Sequence, residues 1–254
     1  MGSSVVELGP GLVVAVLALT ALAAGAGWRS GLAQQRPVAV ATLRATVQLT
    51  AVSAVLVAVV RSLALSALFV ALMLTVAAVT SAARVTRRSL RDPGAARRVA
   101  ATGTAIVAGT APVVALVLAS GSVPLRGEAV IPIAGIVIGG AMTATSLAGR
   151  RLRDELQQRA GEVDAALALG LLPRDAVLEV ARPVAATALV PALDQTRTVG
   201  LVTLPGAFVG VLLGGGSALE AGAAQLLVLV GLLAAEAIAV WVVTEEVARG
   251  LLDG

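Results

Sequence analysis

Apolar runs separated by short polar links follow one another along the whole chain, and each run is long enough to cross the roughly 30 Å hydrocarbon core of a bilayer as a helix. The pattern predicts a first span over Gly11 to Trp28 and a second over about Val38 to Val60. A third covers about Leu63 to Ala83 and a fourth about Val99 to Ser120. The fifth begins near Val130 and continues as a polar helix through "RRLRDELQQR". The sixth runs from about Val184 to Gly214, too long for a straight crossing, and the seventh from about Ala221 to Val243. Alternation of the β-barrel type is absent. The fold class is therefore an all-α polytopic membrane protein of about seven transmembrane helices, read as one transmembrane domain over residues 1–254.

The pattern is interrupted once, at "GEVDAALALGLLPRDAVLEVARP", Gly161 to Pro183. Gly161 and Gly170 bracket a short helix, Pro173 suits the first turn of the next one, and Pro183 marks the return to the membrane. Val163, Ala166, Leu167, Leu171 and Leu172 are its apolar side chains, beside Glu162 and Asp164. Two occupants fit such a helix: a groove on a partner protein, or the membrane surface. The acidic residues weigh mildly against the surface, because the cytoplasmic leaflet is negative.

Composition sharpens this picture. The 254 residues are 58% hydrophobic and 13% charged, and mean hydropathy is +0.96. All 19 basic residues are arginine, and Cys, His and Tyr are absent. That removes disulfides, thiolate or His-based metal sites and His general bases. The net charge of +4 does not indicate nucleic acid, because basic residues of membrane proteins collect in cytoplasmic loops. Six arginines lie in "ARVTRRSLRDPGAARR", Ala83 to Arg98, and others in residues 150–182. Both stretches are thus expected in the cytoplasm, which puts the N-terminus outside and the C-terminus inside a plasma (inner) membrane.

Several polar residues fall at membrane depth. Arg44 and Gln48 lie one turn apart in the second span, Asp194 and Arg197 in the sixth, Gln225 and Glu236 in the seventh. Charges there normally pair or line a water-filled path. Arg44 with Glu236 or Asp194 with Arg197 would fix packing; a translocation path is the other reading, and Arg44 also suits an interface. Pro191 and Pro205 break the sixth span, which suits a gate as well as a plain kink. Gly206, Gly210 and Gly214 recur every fourth residue, as Gly135 and Gly139 do, a spacing that lets helices approach closely within one chain or between subunits.

These residues resemble a known family. "RATVQL" (Arg44 to Leu49), "VIPIAGIVIGGAM" (Val130 to Met142), "LALG" (Leu167 to Gly170), "PALDQTRTVGLVTLPG" (Pro191 to Gly206), "GVLLGGGSALEAGAAQ" (Gly210 to Gln225) and "LVLVGLLAAEAIA" are similar to the permease subunit of the bacterial iron-export ABC transporter family, which has plant relatives linked to aluminium tolerance. The chain departs from that family at Gly140, where the pattern has asparagine, and at Ala207 and Phe208, where it commonly has methionines. The resemblance implies a homodimer embedded in lipid, with ATP and magnesium bound by a separate ABC ATPase subunit and not by this chain. It implies that Glu162, Val163, Leu167, Leu169 and Gly170 belong to a coupling helix within residues 150–183 that docks on the ATPase, and that the cargo is a metal ion. Without His or Cys, a metal path uses carboxylates, carbonyls or water, which suit hard cations; Asp194 and Glu236 are the carboxylates at membrane depth.

The chain lacks "GxxxxGK[ST]", and without lysine it cannot supply that phosphate-binding loop. A non-catalytic transporter subunit is therefore the leading expectation. An autonomous secondary transporter or channel, relaying ions through Asp194, Arg197 and Glu236, is the alternative, and a scaffold without substrate a third. An intramembrane enzyme would have to build its nucleophile and base from Ser, Thr and carboxylates alone.

Overall fold

The computed structural model describes residues 9–252. Among them, seven helices are long and apolar enough to cross a membrane. The helices group into two compact units, residues 1–59 and 60–254.

The first unit is a helical hairpin of α1 (Pro10–Arg29) and α2 (Gln35–Val59). Pro10 opens α1 at its first turn, where a missing N–H costs nothing. Gly31 (φ +70°) and Ala33 (φ +52°) turn the chain, and Gly27 lets Gln34 approach where a Cβ would stand 3.2 Å from the Gln34 Cβ. Almost every other side chain of this hairpin is exposed, as expected for helices whose apolar surface faces lipid or another subunit.

The second unit is a bundle of α3 (Leu63–Thr86), α4 (Ala95–Ala119), α5 (Gly127–Gln158) and α10 (Ala218–Ala248), with α3 and α4 packed on α5 and α10. Its interior is rich in small residues. Ala105, Ala134, Ala141, Ala148, Ala235 and Ala239 are fully buried, because helices in lipid gain contact by close backbone approach and not by hydrophobic segregation. At Gly109 the approach is closest: any side chain would run into the carbonyl oxygen of Ala235. Ser81 and Ser146 hydrogen-bond at 3.1 Å across α3 and α5, and the Thr102 hydroxyl donates to the Ala78 carbonyl at 2.9 Å. These contacts satisfy polar groups that hydrocarbon would leave unpaired.

Three expectations about the later helices need correction. The sixth crossing does not begin after Pro183. It begins at Pro173, in the first turn of α7 (Pro173–Ala186), and Pro183 lies inside that helix. The charged residues Arg174, Asp175, Glu179 and Arg182 hid it, although Ala176, Leu178, Val180 and Ala181 form a buried stripe. Nor is the stretch to Gly214 one span. A turn of 3-10 helix (Thr187–Leu189) leads into α8 (Val190–Thr198), and after a non-helical turn α9 (Gly206–Leu213) follows. At 1.5 Å per residue α9 is about 12 Å long, too short to cross. The seventh helix, α10, extends beyond the expected Ala221–Val243 at both ends. A Ser217–Glu220 capping box starts it.

The arginine-rich segments meet at one end of this unit. Arg87 pairs with Asp154 at 2.9 Å, joining residues 84–98 to the end of α5. Arg98 is only 2% exposed and donates to the carbonyls of Pro93 (2.7 Å) and Ser89 (3.1 Å). Arg153 donates to the Leu252 carbonyl at 2.6 Å, and Arg174 binds Glu245 through two nitrogens at 2.7 and 2.9 Å.

Candidate functional site

At that arginine-rich end stands α6 (Ala160–Ala168), between the end of α5 and the start of α7. Its N-terminus is held by Arg159, whose guanidinium donates to Glu162 Oε1 at 2.6 Å and also binds Oε2. The hydrogen bond from Arg159 holds the Glu162 carboxyl below the usual carboxylate range. Its C-terminus closes with Gly170 at φ +91°. There the Gly170 N–H donates to Leu167 O (2.9 Å) and the Leu171 N–H to Ala166 O (3.1 Å), the paired bonds of a Schellman turn. Glycine takes that left-handed conformation without the Cβ penalty.

No residue of α6 is buried. Val163 and Asp164 wall a cleft of about 350 Å³ with Leu156, Val177 and Val247. On the outer side Leu167 is 39% and Leu169 83% exposed. The result is a short helix, closed by a Schellman turn at its C-terminus, that presents apolar side chains away from the bundle.

The sixth crossing ends with α8. Pro191 is in the first turn of α8. Asp194 and Arg197 pair at 3.5 Å, one turn apart, and both are largely exposed. A pair of that kind adds little stability. After α8, Gly200 (φ +82°) donates to Thr203 O at 2.9 Å, and Leu201, Val202 and Leu204 project outward. Pro205 is the residue preceding α9 and has no side chain able to cap it. Gln225 does so instead: buried on α10, it accepts from the Phe208 N–H at 3.2 Å. Between α9, α10 and the start of α5 lies a cleft of about 1090 Å³, mostly apolar, with Glu128 and Glu220 in its wall.

Gly206 and Gly210 have nothing within 4 Å of a built Cβ, and Gly214 touches only carbonyls of its own helix. Their shared face is uncovered within this unit. Gly135 meets the end of Met73 on α3, whereas Gly139 is open.

Glu236 lies near the middle of α10, half-buried. It faces α5 at Gly140, where a Cβ would sit 2.7 Å from Glu236 Oε1 and closer still to Leu232. Glycine at 140 is therefore what leaves room for this carboxylate. Glu236 makes no ion pair among the described residues. Arg44 and Gln48 belong to the first unit and are exposed there. Among the described residues no three His, Cys, Asp or Glu side chains converge to hold a metal.

Sequence reasoning missed Glu246. It is 8% exposed, Oε1 accepts from the Thr104 hydroxyl, and Oε2 has no partner. Its signal was present in "TEEVAR", had α10 been carried one turn past Val243.

A family model described as "Uncharacterised protein family (UPF0014)" matches residues 11–252. The chain is 34% identical over 218 residues to the UPF0014 membrane protein STAR2 of Oryza sativa subsp. japonica, covering 85% of this chain and 74% of that protein. It is 40% identical over 127 residues to the Protein ALUMINUM SENSITIVE 3 of Arabidopsis thaliana, 50% of this chain and 46% of that one. It is 35% identical over 111 residues to the "Probable iron export permease protein FetB" of Escherichia coli (strain K12), 44% of this chain and 43% of that one. No solved structure matches the chain. The resemblance read from the sequence motifs thus holds over nearly the full length.

Proposed function

The chain belongs to the UPF0014 family of multi-pass membrane proteins, and from that premise we propose that it is the permease subunit of an ABC-type transporter that exports metal ions. Energy comes from a separate ATPase, which binds ATP and magnesium; this chain has no catalytic role. It works as a homodimer in the plasma membrane, with the arginine-rich end, α6 and the C-terminus in the cytoplasm and the N-terminus outside.

The observation that carries this reading is α6. A nine-residue helix with no buried residue, closed at its C-terminus by a Schellman turn and bearing exposed Leu167 with exposed Leu169 just after it, commits no side chain to the core of the bundle. It suits a groove in a partner. α6 also connects directly to α7 through Pro173, so displacement of α6 acts on the first turn of the sixth crossing. That crossing is interrupted at residues 187–189 and again after Thr198, which gives it segments able to move separately. The name of the Escherichia coli relative supports an iron-like cargo. Glu236, packed against Gly140 and without an ion pair among the described residues, is the carboxylate best placed within the bundle to meet a hard cation.

The test is metal uptake into inverted membrane vesicles holding this chain with its ATPase. ATP-dependent accumulation of iron or a similar cation supports the proposal. Accumulation that needs no ATPase favours an autonomous carrier.

A further inference from the structure

The end of α10 carries a second feature, separate from α6. Trp241, Val242, Glu245, Glu246, Arg249 and Leu251 wall a cleft of about 250 Å³. The thirty-one residues of α10 span about 46 Å, well beyond the roughly 30 Å hydrocarbon core. The charged last turns therefore lie at headgroup level, where an exposed tryptophan such as Trp241 is favoured.

The charges in this cleft are unequally satisfied. Glu245 is taken by both nitrogens of Arg174. Arg249 stands 3.8 Å from Glu245, outside hydrogen-bond distance, and is largely exposed. Glu246 is more than nine-tenths buried, its Oε1 is occupied by Thr104, and its Oε2 has no donor. A buried carboxylate oxygen without a donor is costly and calls for a partner. One amphipathic cleft at the interface thus holds a buried carboxylate oxygen without a donor and an exposed arginine held by one long ion pair to Glu245, beside an indole.

We propose that this cleft binds the headgroup of a phospholipid bearing a primary ammonium, with the ammonium donating to Glu246 Oε2 and the phosphate on Arg249. The zwitterion gives Glu246 Oε2 a donor and Arg249, whose ion pair with Glu245 is long and exposed, a nearer anion, which a headgroup without an ammonium does not. A primary ammonium has N–H donors, which a trimethylated one lacks. Trp241, Val242 and Leu251 provide the apolar border along which the acyl chains leave, so the ligand is the lipid and not its soluble headgroup. The site is independent of the transport reading.

The full-length protein, purified in mild detergent and stripped of lipid, is titrated with phosphatidylethanolamine, phosphatidylcholine and phosphatidylglycerol of the same acyl chains, and bound lipid is counted by native mass spectrometry. Phosphatidylethanolamine is expected to bind at least about tenfold more tightly than phosphatidylcholine, the scale of one hydrogen bond to a charged group. Glu246→Gln is expected to abolish that preference, and Arg249→Gln to weaken both zwitterionic lipids alike. Soluble phosphoethanolamine is expected not to displace the lipid. Equal binding of ethanolamine and choline lipids by the wild-type protein overturns the proposal whatever the variants do, and so does ready displacement by phosphoethanolamine.

Discussion

The side-chain oxygen of Gln225 on α10 accepts from the backbone N–H of Phe208 on α9 at 3.2 Å. The first N–H groups of a helix have no partner inside it, and Pro205 cannot supply one. A residue of the following helix therefore caps the start of α9. The bond fixes where α9 lies along α10. Gln225→Leu leaves the Phe208 N–H unpaired beside an apolar side chain, and a loss of about 1–2 kcal/mol is expected. Thermal unfolding in detergent reads it as a lowered midpoint. An unchanged midpoint would show that the bond does not hold α9.

Glycines on two faces separate packing inside the chain from packing outside it. Gly109→Ala brings a Cβ to 2.3 Å from the Ala235 carbonyl oxygen, so α4 and α10 must move apart. Overpacking of this kind costs about 1–3 kcal/mol. Gly206→Ala meets nothing within 4 Å and is expected to leave the single chain as stable as before. If the glycine face of α9 joins two subunits, Gly206→Leu reduces the dimer fraction by size-exclusion chromatography with light scattering. A dimer unaffected by Gly206→Leu removes α9 from the interface.

Membrane sidedness is checked with introduced cysteines, since the native chain has none. Ser89 lies in the link before α4 and Ser122 in the link after it. Ser122→Cys is expected to react with an impermeant maleimide in intact cells, and Ser89→Cys only after lysis. Reaction of both in intact cells contradicts the assigned topology.

Under the proposed function, Glu236 and Gly140 bear on cargo. Glu236→Gln removes the charge while keeping the shape, and ATP-driven metal uptake is expected to fall while the chain still retains its ATPase. Gly140→Asn must displace the ends of Leu232 and Glu236, both flexible, so it is expected to change the relative rates for different cations without unfolding the protein. Wild-type uptake and selectivity in both variants would place the path elsewhere.

The spans were legible because lipid demands long apolar runs, and no polar loop in this chain imitates one. Legibility failed where helix continued through charge. Arg174 and Glu245 neutralise each other across α7 and α10, so neither helix stops where its hydropathy does. Hydropathy treats each charge as exposed and cannot see that pairing. The end of α6 was legible in Gly170, since a left-handed residue there favours glycine, and Pro173 marked the next helix start. The cap from Gln225 to Phe208 was not legible, because it joins residues seventeen apart through a turn whose geometry no local pattern fixes. Gln225 was singled out for being polar at depth, and the structure gives that polarity a hydrogen-bonding partner. Gly140 shows the reverse case: its meaning lies in Glu236, almost a hundred residues later.

The central claim is that α6 is the handle for an ATPase. Burying one leucine contributes about 1.5–3 kcal/mol, and a charge in its place adds the cost of desolvation. The most direct measurement is retention of the ATPase on the affinity-purified chain carrying Leu167→Asp and Leu169→Asp together. Neither leucine is buried in the bundle, so the variant is expected to insert and unfold like the wild type. The account requires that it lose the ATPase, and coupled ATP hydrolysis with it. A variant that keeps the partner and hydrolyses ATP normally contradicts the account, and α6 would then be a helix lying on the membrane surface.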